Sequence, residues 1–350
     1  MEYTTLDKIS ENLDSKRKPI TSSDRVEGEI PYYGASGIVD YVKDYIFDES
    51  LLLVSEDGAN LLARSTPIAF SVTGKTWINN HAHVLRFSNE NLQKFVEIYL
   101  NSISLESYVT GSAQPKLNQK MLNGIPIPVV DDSQIEIIVN SVENLKSIIE
   151  LRKQELACLD ELIKARFVEL FGDPIINSKG LETRDLKDVL VLKAGDFTAA
   201  SDISAEPTKI NIYPCYGGNG IRGYVAEYNQ EGEYSLIGRQ GALSGNVQYA
   251  MGKFKNTEHA LLVTPMIQMN SIWLNQLLLN LDLKRYQTGA AQPGLSVKNL
   301  QDIQIPMAPI DEQSDLADFV HQVNKSKVAV QKALEETQLL FNSLMQKYFG

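Results

Sequence analysis

His81-Ala82-His83 is the run in this sequence whose side-chain types and spacing best suit a metal. On a β-strand residues i and i+2 point the same way, so two imidazoles two apart can address one ion. No third ligand cluster lies near the pair in sequence, so a structural role at a strand end is expected, with no metal. Thr73-Gly74-Lys75-Thr76 has the form of the end of a phosphate-binding loop. Such a loop needs a further glycine five positions before Gly74, and Ala69 stands there, so a solvated turn is expected. The glycine runs Gly34-Ala35-Ser36-Gly37 and Gly217-Gly218-Asn219-Gly220 lack the strand–GxGxxG–helix order of a dinucleotide site. No NPPY-like or DPPY-like segment is present to hold a flipped adenine, and no serine, histidine and acid set suggests a nucleophile. These runs offer no catalytic constellation and no cofactor site, so neither a catalytic residue nor a cofactor of the chain's own is expected.

The elements that would position such loops belong to an ordinary globular composition. The chain has 350 residues, 43% hydrophobic and 22% charged, enough for two domains and connecting helices. No apolar run suits a signal peptide or approaches the ~20 residues of a membrane span, so a cytoplasmic protein without membrane contact is expected. The two cysteines, Cys158 and Cys215, have no metal-type spacing. The net charge of -11 divides as -4 over 1–130, -4 over 131–172, -1 over 173–310 and -2 over 311–350. There is no basic tail, so any phosphate-binding surface is a local patch or is shared with a partner.

The chain is a tandem repeat. TGSAQPKLNQKMLNGIPIP (110–128) lies over TGAAQPGLSVKNLQDIQIP (288–306) with 11 of 19 positions identical, 178 positions apart. Upstream, IPYYGASGI matches IYPCYGGNGI at an offset of 183, and Asp57-Gly58-Ala59 matches Gln240-Gly241-Ala242. In this alignment His83 falls on His259 and His81 on no histidine. LLLVSEDGANLL and EYSLIGRQGAL read as strands with glycine punctuation. NENLQKFVEIYLNSISLESY and MIQMNSIWLNQLLLNLDLKRY read as helices ending just before the Thr-Gly turn. That turn is therefore expected to be a helix terminus, with Gly111 and Gly289 at positive φ and Pro115 and Pro293 blocking resumption.

Each repeat closes on a heptad seam. Ile138, Val142, Leu145, Ile149, Leu156, Leu159, Ile163 and Leu170 occupy a and d positions, with Arg152 and Arg166 as polar members. Leu316, Val320, Val323, Val330, Leu334, Phe341, Leu344 and Tyr348 repeat the register 178 positions on, with Lys327 and Thr337. Seams this narrow predict two long helices packed as an antiparallel coiled coil rather than sunk in a large core. The expected organisation is α+β: a mixed domain over 1–130, a helix over 131–172, a second domain over 173–310 and a helix over 311–350.

This arrangement resembles the specificity (S) subunit of a type I restriction–modification system over essentially the whole chain. The stretches that carry it are LDELIKARFVELFGDP (159–174), the two TG(S/A)AQP loops with their IPIP and IQIP tails, and the YYGASGIVDYV and CYGGNGIRGYV pair. The resemblance implies a non-catalytic DNA reader in which each target-recognition domain reads one half of a split double-stranded DNA target and the helices set the spacer. It implies two modification (M) subunits carrying S-adenosylmethionine as partners, and restriction (R) subunits using ATP and magnesium. Loop residues with suitable donors are then candidates for DNA contact. In the first domain these are Ser36, Arg64, Lys75, Asn79 and Lys116; in the second, Asn219, Arg222, Arg239, Gln240 and Lys253. Gln114 and Gln292, at the repeated junction, are expected to be structural or to face the M subunit. An acidic scaffold or DNA mimic is the alternative; it would show dense carboxylate rows, whereas the signs here are mixed.

Overall fold

A computed structural model describes residues 2–111, 114–241, 243–289 and 293–350. The chain divides into two compact units, Met1–Leu151 with Leu334–Gly350 and Arg152–Ala333.

In the first unit β1 (Tyr3–Thr5) leads through α1 (Leu6–Ile9) into β2 (Ser10–Asn12). The hairpin β3 (Glu27–Gly34) and β4 (Gly37–Val42) follows, then β5 (Phe47–Asp48) and β6 (Leu51–Ser55). After α2 (Asn60–Ala63) come β7 (Ala69–Val72), β8 (Lys75–Ile78) and β9 (Ala82–Phe87). Then α3 (Glu90–Ser102), α4 (Gln119–Asn123) and β10 (Pro126–Pro128) close the globular part, β10 pairing back onto β1. Two four-stranded sheets result, ordered β2-β9-β6-β7 and β4-β3-β8-β5. β6 is buried on both faces: Leu52 and Val54 join the cluster of Phe95 and Val96 from α3, while Leu51 and Leu53 join Phe47, Ile78 and Val84. Two-sided burial is why this strand reads as an unbroken apolar run.

The helix α5 (Asp132–Phe171) runs from the first unit into the second. There β11 (Thr183–Asp185), α6 (Leu186–Val189) and β12 (Leu190–Ala194) precede the hairpin β13 (Tyr213–Gly217) and β14 (Gly220–Val225). The long strands β15 (Gln230–Gly238) and β16 (Val247–Asn256), then β17 (Ala260–Pro265), complete one six-stranded sheet, ordered β12-β17-β15-β16-β13-β14. The first unit's counterpart of the β15–β16 pair is interrupted at Glu49-Ser50 and Thr73-Gly74, which is why it carries two smaller sheets. α7 (Ser271–Asn280), α8 (Val297–Leu300), β18 (Gln304–Pro306) and α9 (Ile310–Phe349) follow, and β18 pairs with β11. The class is α+β, as expected, and no helix among the described residues is long and apolar enough to cross a membrane.

Both long helices match the expected segments to within two residues. Every seam position is buried or half-buried, the polar members Arg152, Arg166, Lys327 and Thr337 included. Within the second unit Lys327 Nζ lies 2.5 Å from Asp160 and Arg166 stacks over Phe319 at 5.8 Å, so rising numbers on α5 meet falling numbers on α9. That is antiparallel packing. At the helix ends the buried stripe is wider than the seam: Ile135 and Val139 join the first unit's core, and Phe167, Phe171 and Ala317 the second's. These ends pack on sheet and helix as well as on each other, so a broader face is apolar.

One expectation needs correcting. Neither α3 nor α7 reaches the Thr-Gly turn. α3 ends at Ser102, where Asn101 bonds the backbone of Ile68 and Ala69 at the start of β7, and a 3-10 turn follows at Glu106–Tyr108. α7 ends at Asn280, and Asp282 in the left-handed region (φ 47°) turns the chain into a 3-10 segment, Leu283–Tyr286. The apolar period runs on past both helices because Leu105 and Leu283 fill the core beneath these turns.

Candidate nucleic-acid interface

In the first unit four loops converge where β6 ends. The Thr-Gly turn is not a helix terminus: Thr110 and Lys116 exchange backbone hydrogen bonds of 2.9 and 2.7 Å. Gly111 is at φ 86°, the positive value its type suggested. Leu117 N donates to Glu56 O at 2.8 Å and Gly58 N to Pro115 O at 3.0 Å, which seats the loop against the residues following β6. Those residues hold the histidine turn, Glu56 N donating to His81 O at 2.8 Å. Asn79 N donates to Tyr33 O, and Ser55 Oγ to Ala35 O, bringing in the tip of the β3–β4 hairpin with exposed Ser36.

The second unit builds the same convergence. Thr288 and Gly294 exchange backbone bonds of 2.9 Å each, and Gly289 is at φ 93°. Leu295 N reaches Arg239 O at 2.8 Å, Gly241 N reaches Pro293 O at 2.9 Å, and Arg239 N reaches His259 O at 3.0 Å. Thr257 N donates to Tyr216 O, and Asn246 Nδ2 to Asn219 Oδ1 at the β13–β14 tip. This edge carries Asn219, Arg239 and Gln240; the first carries Ser36 and Lys116. Arg222 is exposed on β14, two residues beyond the tip.

The ladders also correct the histidine alignment. Ala82 pairs with the last residue of β6 and Ala260 with the last of β15, so His81 corresponds to His259 and His83 to Leu261. His81 Nδ1 bonds Asp57 at 2.9 Å, and His259 Nδ1 bonds Gln240 Oε1 at 3.0 Å. His83 instead lies buried beneath the loop, Nδ1 2.5 Å from Asp14 and Nε2 2.7 Å from Leu117 O. Asp14, Glu56 and His83 are close enough to bracket an ion. Both ring nitrogens are already bonded, and Arg17 (2.6 Å) and Lys116 (3.1 Å) on Glu56 supply the positive charge. The cluster therefore serves as an internal ion-pair anchor for the loop.

Burial opposes ionisation of Asp14, but the hydrogen bond and charge of His83, Val84 N–H and Arg17 hold its carboxyl below the ordinary value. Burial likewise opposes that of Glu56, outweighed by Arg17, His83 and Lys116. A carboxyl depressed in the folded state stabilises above its unfolded value and loses that stability as pH falls through the lower folded value. Glu56→Gln is thus expected to destabilise the first unit by about 2 kcal/mol at pH 7. The deficit should shrink below about pH 4, as denaturant unfolding between pH 7 and 3 would show; a deficit constant with pH would contradict this origin.

Two candidates lie elsewhere in role. Arg64 donates to Leu100 O at 3.2 Å and Ile103 O at 2.6 Å, so its guanidinium caps the last carbonyls of α3 instead of facing outward. Asn79 is buried, its Oδ1 accepting from His81 N to shape the histidine turn. Lys75 and Lys253 prove to be equivalent: each is exposed on its strand with Nζ 4.8 Å from the centre of a tyrosine ring, Tyr45 and Tyr228. Gln114 is exposed in the first loop, and Gln292 lies outside the described residues. Asp57, His259 and Asn246 also stand on these edges without having been candidates, and His81 was considered only as a metal ligand. The alignment of Asp57-Gly58-Ala59 on Gln240-Gly241-Ala242 was the signal for the first.

A family model described as "Type I restriction modification DNA specificity domain" matches residues 1–161 and again 178–338. The chain is 42% identical over 134 residues to the type I restriction enzyme EcoprrI specificity subunit of Escherichia coli, covering 38% of this chain and 33% of that protein. It is 37% identical over 139 residues to a putative type I restriction enzyme specificity subunit of Haemophilus influenzae, covering 39% and 36%. The alignments thus span about a third of the length of these curated relatives. In fold, the crystal structure of a type I restriction–modification S subunit from M. genitalium superposes with a TM-score of 0.69 at 17% identity, covering 100% of this chain and 96% of that one. A structure from a study of type I R-M complex assembly and conformational transition gives 0.56 at 15%, covering 99% and 97%.

Proposed function

Since the chain belongs to the type I restriction modification DNA specificity family, we propose that each of its two units reads one half of a bipartite double-stranded DNA target. The observation that carries this reading is the double match of the specificity domain, 1–161 and 178–338, which coincides with a duplicated four-loop edge. The long helices set the number of unread base pairs and dock two M subunits, which bring S-adenosylmethionine and methylate adenine. R subunits add ATP- and magnesium-dependent cleavage. The chain itself recognises and does not catalyse, and it works in the cytoplasm. With a net charge of -11 it binds DNA weakly alone, the M subunits adding phosphate contacts. A mimic of DNA would need carboxylate rows, whereas lysines and arginines stand among the acids here.

Genome-wide methylation sequencing of a host expressing the chain with its M partner should reveal one bipartite motif; none would end this reading. Lys75 and Lys253 meet phosphates, the tyrosine beneath each holding the ammonium in place. Replacing either by Ala should weaken binding evenly across sequences and reduce the slope of log K against log salt by about one. Titration of the M–S complex on target and non-target duplexes measures this, and an unchanged slope would remove these residues from the interface.

A further inference from the structure

The repeat holds one feature whose scaffold is kept while its outward chemistry changes. Asp57 and Gln240 occupy the same place, two residues past the ends of β6 and β15. Each bridges the repeated loop through its backbone, Asp57 to Lys116 and Gln240 to Gly294. Each side chain is bonded to the histidine of the neighbouring turn, at 2.9 Å from His81 and 3.0 Å from His259. Those side chains face solvent, with 18% of Asp57, 50% of His81 and 38% of His259 exposed, and Gln240 is exposed too.

Hydrogen-bond polarity then differs between the two units. An ionised carboxylate accepts only, so with His81 donating from Nδ1 the remaining lone pairs of Asp57 suit an amine. His259 Nε2 lies 3.1 Å from Glu258 Oε1; with its Nδ1 donating to Gln240 Oε1, the amide N–H2 of Gln240 is the group left to approach a partner. In the major groove, base amines (cytosine N4, adenine N6) are matched by an acceptor, and N7 or carbonyl oxygens by a donor.

Resting on the reading of the two units as DNA readers, we infer that Asp57 and Gln240 read bases at the corresponding position of the two half-sites. Asp57 selects an amine-bearing edge and Gln240 an acceptor edge, with His81 and His259 as positioning residues.

The experiment compares methylation motifs from the M partner with the wild-type chain, Asp57→Asn and Gln240→Glu. Both replacements keep size and an oxygen for the histidine, and because they lie in different units each controls for the other. Wild type yielding no bipartite motif overturns the DNA-reader assignment itself, before the variants are considered. With that motif present, Asp57→Asn should change the base accepted at one position of one half-site by roughly tenfold or more, and Gln240→Glu one position of the other. The spacer and the untouched half stay as they were. Unchanged base preference in both variants, or a loss spread over both half-sites, overturns the inference. His81→Gln gives a second reading of the first position: relaxation there alone supports the positioning role, and an unaltered motif contradicts it.

Discussion

Four residues inserted between Leu151 and Arg152, with four between Ala333 and Leu334, should lengthen the recognised spacer by about one to two base pairs and leave both half-sites unaltered. The chain divides into its compact units at these two points, each inside a continuous helix. An insertion there leaves each unit's own contacts in place, from the cluster that holds Ile138, Phe341 and Met345 in one to Asp160 with Lys327 in the other. Four helical residues add about 6 Å and about 40° of rotation. One base pair of B-DNA supplies ~3.4 Å and ~35°, so the rotation fits one step and the rise nearly two. Lengthening both helices equally keeps their heptad pairing within each unit. Methylation sequencing reads spacer and half-sites together, and an unchanged spacer would sink the ruler role of α5 and α9.

Phe171→Ala should lower the stability of the second unit by about 3–5 kcal/mol, the usual cost of deleting a buried aromatic ring. Phe171 is fully buried at the end of α5, 5.2 Å from the Phe167 ring and 6.2 Å, edge to face, from Trp273 on α7. It joins the long helix to the domain core, whose buried members include Leu277, Leu300 and Leu316, and a close-packed interior relaxes only partly around a deleted ring. The chain has two tryptophans, Trp77 in the first unit and Trp273 in the second. In a Trp77→Phe background the remaining fluorescence reports the second unit, and its urea transition should move to lower concentration. A loss below about 1 kcal/mol would mean that the helix end is not part of that core.

Much of the fold was legible because it depends on local period. The alternation of four and three along Leu316, Val320, Val323, Lys327 and Val330 defines a helix face whatever it meets, and all five positions are buried or half-buried. Gly111 and Gly289 were readable for a similar reason, since a single residue type favours positive φ. Where the expectations failed, a local pattern was shared by two structures. Leu105 and Leu283 continue a helical period although the chain there is a 3-10 turn, because burial rewards the side chain and not the backbone geometry. Arg64 and Asn79 suit nucleic acid by residue type, but the carbonyls of Leu100 and Ile103 take the Arg64 donors, and Asn79 is buried with its Oδ1 accepting from His81 N. A donor's availability depends on neighbours distant in sequence.

By itself the sequence determined the duplication, the α+β class, the two long helices and their register. These follow from repeat spacing and from apolar periods that each segment carries alone. The tertiary structure decided which polar groups share an edge. Asp57, His81 and Lys116 span 59 positions of chain, and only the β6–β9 ladder and the seating of the Thr110–Leu117 loop bring them together. It also decided that His81, not His83, stands where His259 does, because strand pairing fixes equivalence where an alignment can slip by two residues without cost. Hydrogen-bond partners are set by geometry across the fold, and no period along the chain encodes them.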